Sequence, residues 1–236
     1  MKSVIRIISF IFLLLPVATF AAGGGANLRH ADIDTSDIKS LQNGARLYVN
    51  YCLGCHSLKH MRFNRFVDEL DLTKEEIEQN LMFVGEKIFD YLNNTIPNED
   101  AVGWFGIVPP DLTLTARSRG ADWLYTYLTS FYADPGRPTG VNNLVFKDVG
   151  MPHVLWELQG IQDLTEDGKL VLREGSGSMD KASYDSEMLD LVNFMTYSAE
   201  PVKNERVRLG IWVIGFLLIL LVISCFLKKE YWKDVH

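Results

Sequence analysis

The sequence predicts a mainly α-helical domain, built around a short cysteine–histidine motif with long loops between its helices, and followed by one C-terminal transmembrane helix. Three observations support this prediction. Residues 52–56 read C-x-x-C-H, apolar residues recur at helical spacing in several separate stretches, and residues 209–227 contain no charged side chain. The length of 236 residues suits one globular domain with accessory segments.

The C-x-x-C-H motif is the attachment signature of a c-type haem. Cys52 and Cys55 lie one helical turn apart, so each can form a thioether to the same porphyrin, and His56 is then held under the iron as its proximal ligand. The competing interpretations are a disulfide, a thioredoxin-like redox pair and half of a zinc site. The sequence has no second ligand pair for zinc, and a thioredoxin-like pair would open a helix, whereas this motif closes one. We therefore predict one haem c, bound through two thioethers.

The first 22 residues are typical of a secretory signal peptide. Lys2 and Arg6 supply a positive start, residues 7–20 are largely apolar, and Ala21-Ala22 forms a small-residue cleavage region. This apolar stretch is short for a permanent span, although an uncleaved N-terminal anchor is the alternative. A signal peptide would place the following domain outside the cytoplasmic membrane.

A second apolar segment lies near the other end of the chain. Its nineteen residues, 209–227, just cross a hydrocarbon core of about 30 Å at about 1.5 Å per residue. It contains Cys225, so no cysteine pair remains for a structural disulfide beside the haem. The predicted division is a signal peptide at 1–22, a periplasmic haem domain at 23–205, a single inner-membrane anchor at 206–228 and a cytoplasmic tail at 229–236.

Charge is unevenly distributed along the chain. Residues 23–205 contain 28 Asp and Glu against 16 Lys and Arg, a net charge of −12. Such a domain does not favour nucleic acid, and its field would steer a basic partner towards it. The alternative is that the acidic surface only aids solubility.

Spacing and capping predict several helices and one hairpin. They are a helix with Leu41, Ala45, Tyr48 and Cys52 on one face; a helix opened by the capping box Thr73–Glu76 and continued by Ile77, Leu81, Val84 and Ile88; a helix at 121–132; a hairpin at 161–174 around Asp167-Gly168; and a last helix with Tyr184, Met188, Leu191 and Met195 on one face. Residues 93–111, with Trp104-Phe105 and Pro109-Pro110, are predicted to form a loop.

The second axial ligand decides between electron transfer and chemistry at an open iron. A methionine thioether raises the potential and closes the site, whereas an open position suits a peroxidase or a ligand sensor. Met151 and Met179 both lie in predicted loops, and we favour Met179 because it sits between glycines and the last helix. His153 is the competitor from another residue class, although a lone histidine is more often a surface or hydrogen-bonding residue.

Longer motifs resemble one known family, the cytochromes c1, the haem subunits of the cytochrome bc1 (ubiquinol–cytochrome c reductase) complex, in their bacterial form. C-x-x-C-H alone is shared by many cytochromes, whereas the combination of a Pro-Pro-Asp-Leu loop, an Arg-x-Arg segment and a tail anchor is much more specific. The segments that carry the resemblance are 48–57, 104–112, 117–120, 123–128, 150–157 and the Ala-Glu-Pro exit at 199–201.

The resemblance implies a class I cytochrome c-like fold with long inserted loops. It also implies electron transfer from a Rieske iron–sulfur protein to a cytochrome c, beside cytochrome b in a dimeric complex in the lipid bilayer. The chain would have no catalytic residue of its own. A free-standing, membrane-tethered monohaem carrier is the alternative, and a non-haem thiol oxidoreductase is a more distant one.

The resemblance also assigns roles to individual residues. Cys52, Cys55 and His56 match the attachment motif, and the axial methionine matches Met179. Pro109 and Pro110 are implied to pack on the haem. Arg119 is implied to contact a propionate, with Arg117 second, because a guanidinium matches the fork of a carboxylate.

Overall fold

The structure is a computed structural model that describes residues 27–234. The predicted signal peptide lies outside the described residues. The helices are α1 (Ile38–Leu47), α2 (Asn64–Glu69), α3 (Lys74–Asn80), α4 (Asn98–Phe105), α5 (Thr115–Arg119), α6 (Ala121–Thr129), α7 (Trp156–Gln159), α8 (Lys181–Ala199) and α9 (Lys203–Tyr231), with a π-helical turn at Tyr48–Cys52. The strands are β1 (Leu58–Arg62), β2 (Tyr91–Leu92), β3 (Phe131–Ala133), β4 (Val141–Asn143), β5 (Gln162–Leu164) and β6 (Leu170–Leu172). They form three antiparallel pairs, β1–β2, β3–β4 and β5–β6.

The core is built around the crossing of α1 and α8. Asp37 caps α1, because its carboxylate accepts the backbone N–H of Lys39 and of Ser40. Gly44 lets the two helices approach closely: a Cβ built on it would lie 2.1 Å from the carbonyl oxygen of Asp190 and 2.6 Å from the Cβ of Phe194. This close crossing brings the end of α1, and with it the C-x-x-C-H motif, against the last helix of the domain.

We expect Gly44→Ala to destabilise the domain, because the added methyl group meets the backbone of α8, which cannot move aside as a flexible side chain can. Overpacking of this kind costs about 1–3 kcal/mol in the free energy of unfolding. Gly103→Ala is the matched control, since Gly103 is also helical but its built Cβ meets nothing within 4 Å. Chemical denaturation of the two variants measures the difference, and equal midpoints would contradict the proposed close crossing.

The predicted helix that ends at the haem motif is confirmed, as are the hairpin at 161–174 and the last helix. The capping box is also confirmed: Thr73 and Glu76 bond each other's backbone N–H. The extension of that helix to Ile88 is wrong, because α3 ends at Asn80. The carboxylate of Asp90 accepts the backbone N–H groups of residues 86 and 87 and holds this segment in a turn instead.

Two further sequence expectations differ from the structure. Residues 93–111 are not all loop, because Asn98–Phe105 forms α4, which ends at Gly106 in the left-handed conformation (φ 75°). The helix predicted at 121–132 ends at Thr129, and the chain continues into strand β3.

Helix α9 is long and apolar enough to cross a membrane. It spans 29 residues, and none of its side chains is buried against the rest of the described chain. Arg206, in its first turns, donates to the carboxylate of Glu200 at 2.7 Å, so the anchor is tied to the end of α8. The structure therefore fits a globular domain carried on one membrane-spanning helix.

Candidate haem site

The π-helical turn ends at Cys52, and the turn that follows it brings Cys55 and His56 close to that cysteine. Cys52 is buried, Cys55 is half-buried, and both thiols are free. The backbone N–H of His56 bonds the carbonyl of Cys52 at 2.8 Å, and the hydroxyl of Tyr48 donates to the carbonyl of His56 at 3.0 Å. The attachment motif is thus held by backbone bonds and by one buried tyrosine.

The imidazole of His56 is held in one tautomer. Its Nδ1 lies 2.7 Å from the carbonyl oxygen of Pro110. A carbonyl oxygen only accepts, so Nδ1 carries the proton and Nε2 keeps its lone pair. Burial lowers the pKa of His56, which keeps the ring neutral. Nε2 makes no hydrogen bond to any residue that the structure describes, as expected of a nitrogen that ligates a metal.

The predicted Pro109-Pro110 segment is brought to this site. The N–H of Leu112 bonds the carbonyl of Ser57 at 3.0 Å, and the carboxylate of Asp111 accepts the N–H of Lys59 at 2.8 Å. These bonds fix the segment beside the histidine. Pro109 is half-buried, and Pro110 supplies the carbonyl that orients His56.

The cysteines do not have the environment of a redox-active thiol pair. Burial raises the pKa of Cys52 to about 12 and also raises that of Cys55, whereas a thiol nucleophile needs a lowered pKa. No cluster of metal-ligating side chains occurs among residues 27–234. Two uncharged thiols beside a neutral histidine with a free Nε2 fit covalent haem attachment and proximal ligation better than a thiol oxidoreductase or a zinc site.

Arg119 and Arg117 are placed differently. The guanidinium of Arg119 is exposed and lies 5.2 Å from the ring centroid of Trp123, and it forms no ion pair with a described carboxylate. Arg117 lies 3.6 Å from the carboxylate of Glu200, near the anchor helix. Arg119 is therefore the arginine with a guanidinium available to an added carboxylate.

The two loop methionines lie in different surroundings. Met151 is half-buried, and its Sδ accepts a hydrogen bond from the hydroxyl of Tyr127 at 3.3 Å. A Cβ built on the preceding Gly150 would lie 3.7 Å from the carbonyl oxygen of Phe105, so this loop touches the end of α4, just before the Pro-Pro segment. Met179 instead packs against the hydrophobic core, and its N–H bonds the carbonyl of Leu158 at 3.1 Å.

His153 is buried in protein rather than directed to an open site. Its ring stacks on Phe131 at 4.8 Å with an interplanar angle of 2°, and burial lowers its pKa to about 4. Its Nε2 is enclosed by protein atoms and has no hydrogen-bond partner among the described residues. This packing supports a structural role and disfavours His153 as an iron ligand.

Tyr127 is the site residue that sequence reasoning missed. Its spacing from Trp123 predicts only a shared helix face, and its hydroxyl contacts Met151, which lies 24 residues later in a loop. Tyr127 stacks on Trp123 at 5.1 Å and 13°; Trp123 contacts the guanidinium of Arg119, and the hydroxyl of Tyr127 contacts Met151.

Comparison with known proteins identifies the family. The model of the Cytochrome C1 family matches residues 29–235. The chain belongs to the cytochrome c1 family. Proteins of this family carry one covalently bound haem c, and Cys52 and Cys55 are consistent with the attachment motif for that group.

Three relatives illustrate the range of the family match. The chain is 47% identical over 240 residues to cytochrome c1 of Allochromatium vinosum, covering 98% of each chain. It is 45% identical over 234 residues to a protein named ammonia monooxygenase gamma subunit of Nitrosomonas europaea, covering 98% of this chain and 100% of that one. It is 25% identical over 248 residues to cytochrome b/c1 of Bradyrhizobium diazoefficiens, covering 85% of this chain and 34% of that longer one.

Proposed function

We propose that the chain is the electron-transfer subunit of a quinol–cytochrome c oxidoreductase of the cytochrome bc1 type. It would pass electrons from a Rieske iron–sulfur protein to a cytochrome c. The main observation behind the proposal is that the cytochrome c1 family model matches both the domain and its anchor. Within the domain, the C-x-x-C-H motif ends in a histidine whose Nδ1 is fixed by the carbonyl of Pro110. When bound, haem c supplies an iron that alternates between the ferrous and ferric states.

The chain's own residues hold and shield that group. Cys52 and Cys55 form the two thioethers, and His56 offers Nε2 to the iron because Pro110 fixes Nδ1 as a donor. Pro109 and Pro110 cover the side of the site on which His56 lies. Arg119 is placed to pair with a propionate. Each of these residues binds, orients or covers the haem, and the match to the cytochrome c1 family supports a redox subunit of a complex.

For the sixth ligand, the contacts favour Met151 over the sequence-based choice, Met179. A thioether that bonds iron must face the site that also contains His56. The loop of Met151 touches the end of α4, and its thioether contacts the hydroxyl of Tyr127. The side chain of Met179 is used in core packing, and its backbone is fixed to α7.

Charge and chain architecture support the proposed partners. The net charge of −12 over residues 23–205 would steer a basic acceptor such as a cytochrome c towards the domain. The Bradyrhizobium relative is a longer chain named cytochrome b/c1, which supports cytochrome b as a neighbour of this chain. We also propose that the complex is dimeric.

The proposed location is the inner membrane, with the haem domain on the periplasmic side. Helix α9 provides a single span, and Lys228 and Lys229 follow its apolar part on the side assigned to the cytoplasm. The signal-like residues 1–22 support export of the domain.

The test is gentle detergent extraction of native membranes, with purification through a tag added after residue 236. We expect a cytochrome b and a protein with a Rieske iron–sulfur signal to copurify, together with quinol–cytochrome c reductase activity. The Nitrosomonas relative favours a second candidate, a subunit of an ammonia monooxygenase, which predicts monooxygenase subunits in the same eluate. Recovery of this chain alone, with its haem, would favour the free-standing carrier.

A further inference from the structure

We propose that Tyr127 is a positioning residue for the Met151 thioether. Its hydroxyl would engage one lone pair of Sδ and direct the other towards the haem iron. This inference rests on the proposed function, and specifically on Met151 as the sixth ligand. The hydroxyl of Tyr127 donates to Sδ at 3.3 Å, which is within hydrogen-bonding range for sulfur.

Tyr127 is itself held rigidly. Its ring stacks on Trp123 at 5.1 Å and meets the edge of Phe131 at 5.1 Å and of Phe146 at 6.5 Å. Packing on three sides leaves the ring one orientation, so the hydroxyl has a fixed position.

Tyr127 also fixes the loop that carries Met151. The side-chain amide of Asn143 donates to the carbonyl oxygen of Tyr127 at 2.8 Å, and its Oδ1 accepts the N–H of Val145 at 3.0 Å. Asn143 is 1% exposed, so these bonds are protected from water. The start of the loop is thus attached to the backbone of Tyr127, and Met151, further along the same loop, is attached to its hydroxyl.

This arrangement has a consequence for the ligand itself. A thioether sulfur has two lone pairs, and a donor on one of them withdraws electron density from the other. A less electron-rich sulfur stabilises the ferric iron less, so the hydrogen bond should raise the reduction potential. It should also oppose rotation of the methionine away from the iron.

The experiment compares Tyr127→Phe with the unsubstituted full chain, both purified with haem attached. Phenylalanine keeps the ring packing and removes only the hydroxyl. We expect the thioether-to-iron charge-transfer band of the ferric form to persist, the reduction potential to fall, and the carbon monoxide affinity of the ferrous form to rise about three- to tenfold. That rise corresponds to the net free energy that one neutral hydrogen bond contributes.

Two reference variants make the outcome decisive. Tyr197→Phe removes another buried tyrosine hydroxyl, which donates to Glu69 at 2.6 Å, and should change neither the band nor the potential. Met151→Leu should abolish the band. If Met151→Leu abolishes the band but Tyr127→Phe matches the unsubstituted protein, the role of Tyr127 is refuted. If Met151→Leu keeps the band, the ligand assignment fails and this inference fails with it, whereas copurification with cytochrome b would still support the proposed complex.

Discussion

Met151→Leu is expected to leave the haem covalently attached but to open the iron to carbon monoxide. The two cysteines anchor the porphyrin independently of the sixth ligand, so the protein should remain red after acid–acetone washing. Leucine has nearly the volume of methionine but no sulfur, so the position opposite His56 becomes vacant. The reduction potential should fall, because a thioether is the ligand that raises it. Carbon monoxide binding should change from negligible to near-stoichiometric in the ferrous spectrum.

Met179→Leu is the matched control, because it makes the same change in the other loop methionine. Its side chain packs on the core, so the substitution should cost less than about 1.5 kcal/mol in stability and leave the iron closed. The sequence alone favoured Met179, and the opposite result, with gas binding in Met179→Leu only, would restore that choice. Gas binding by the unsubstituted protein would instead favour the sensor or peroxidase interpretation.

The parts of the site that are local in sequence could be predicted. The C-x-x-C-H motif, the helix that leads into it and the capping box at Thr73 depend on residues within a few positions of one another. The apolar stretch of α9 has the length of a membrane span, so its identification needed no knowledge of packing.

The other features of the fold and of the site depend on contacts between segments that are distant in sequence. The carbonyl of Pro110 orients His56 across 54 residues, and no local pattern indicates which carbonyl does so. The helix that was expected to continue to Ile88 ends at Asn80, and the carboxylate of Asp90 holds residues 86 and 87 in a turn instead. The choice of methionine has the same origin, since both loops look suitable until the hydroxyl of Tyr127 and the core packing of Met179 are known.

Deletion of residues 209–236 is expected to release a soluble, haem-containing domain from the membrane. No side chain of α9 is buried against the described domain, so the core loses no packing. The shortened chain keeps Arg206, and with it the ion pair to Glu200. The deletion therefore removes only exposed interactions, which contribute little to stability. The free energy of unfolding should stay within about 1 kcal/mol of the parent value. The domain should move entirely from the membrane pellet to the periplasmic extract.

Deletion of residues 232–236 is the matched control, because it shortens the same terminus but leaves α9 intact, and this protein should stay in the pellet. If the longer deletion also stays in the pellet after an alkaline wash, another segment anchors the chain. The apolar stretch at 7–20 is then the candidate, and N-terminal sequencing of the mature protein would show whether it has been cleaved. Loss of haem from the released domain would mean that the folding unit extends into the anchor, contrary to the exposure of every side chain on α9.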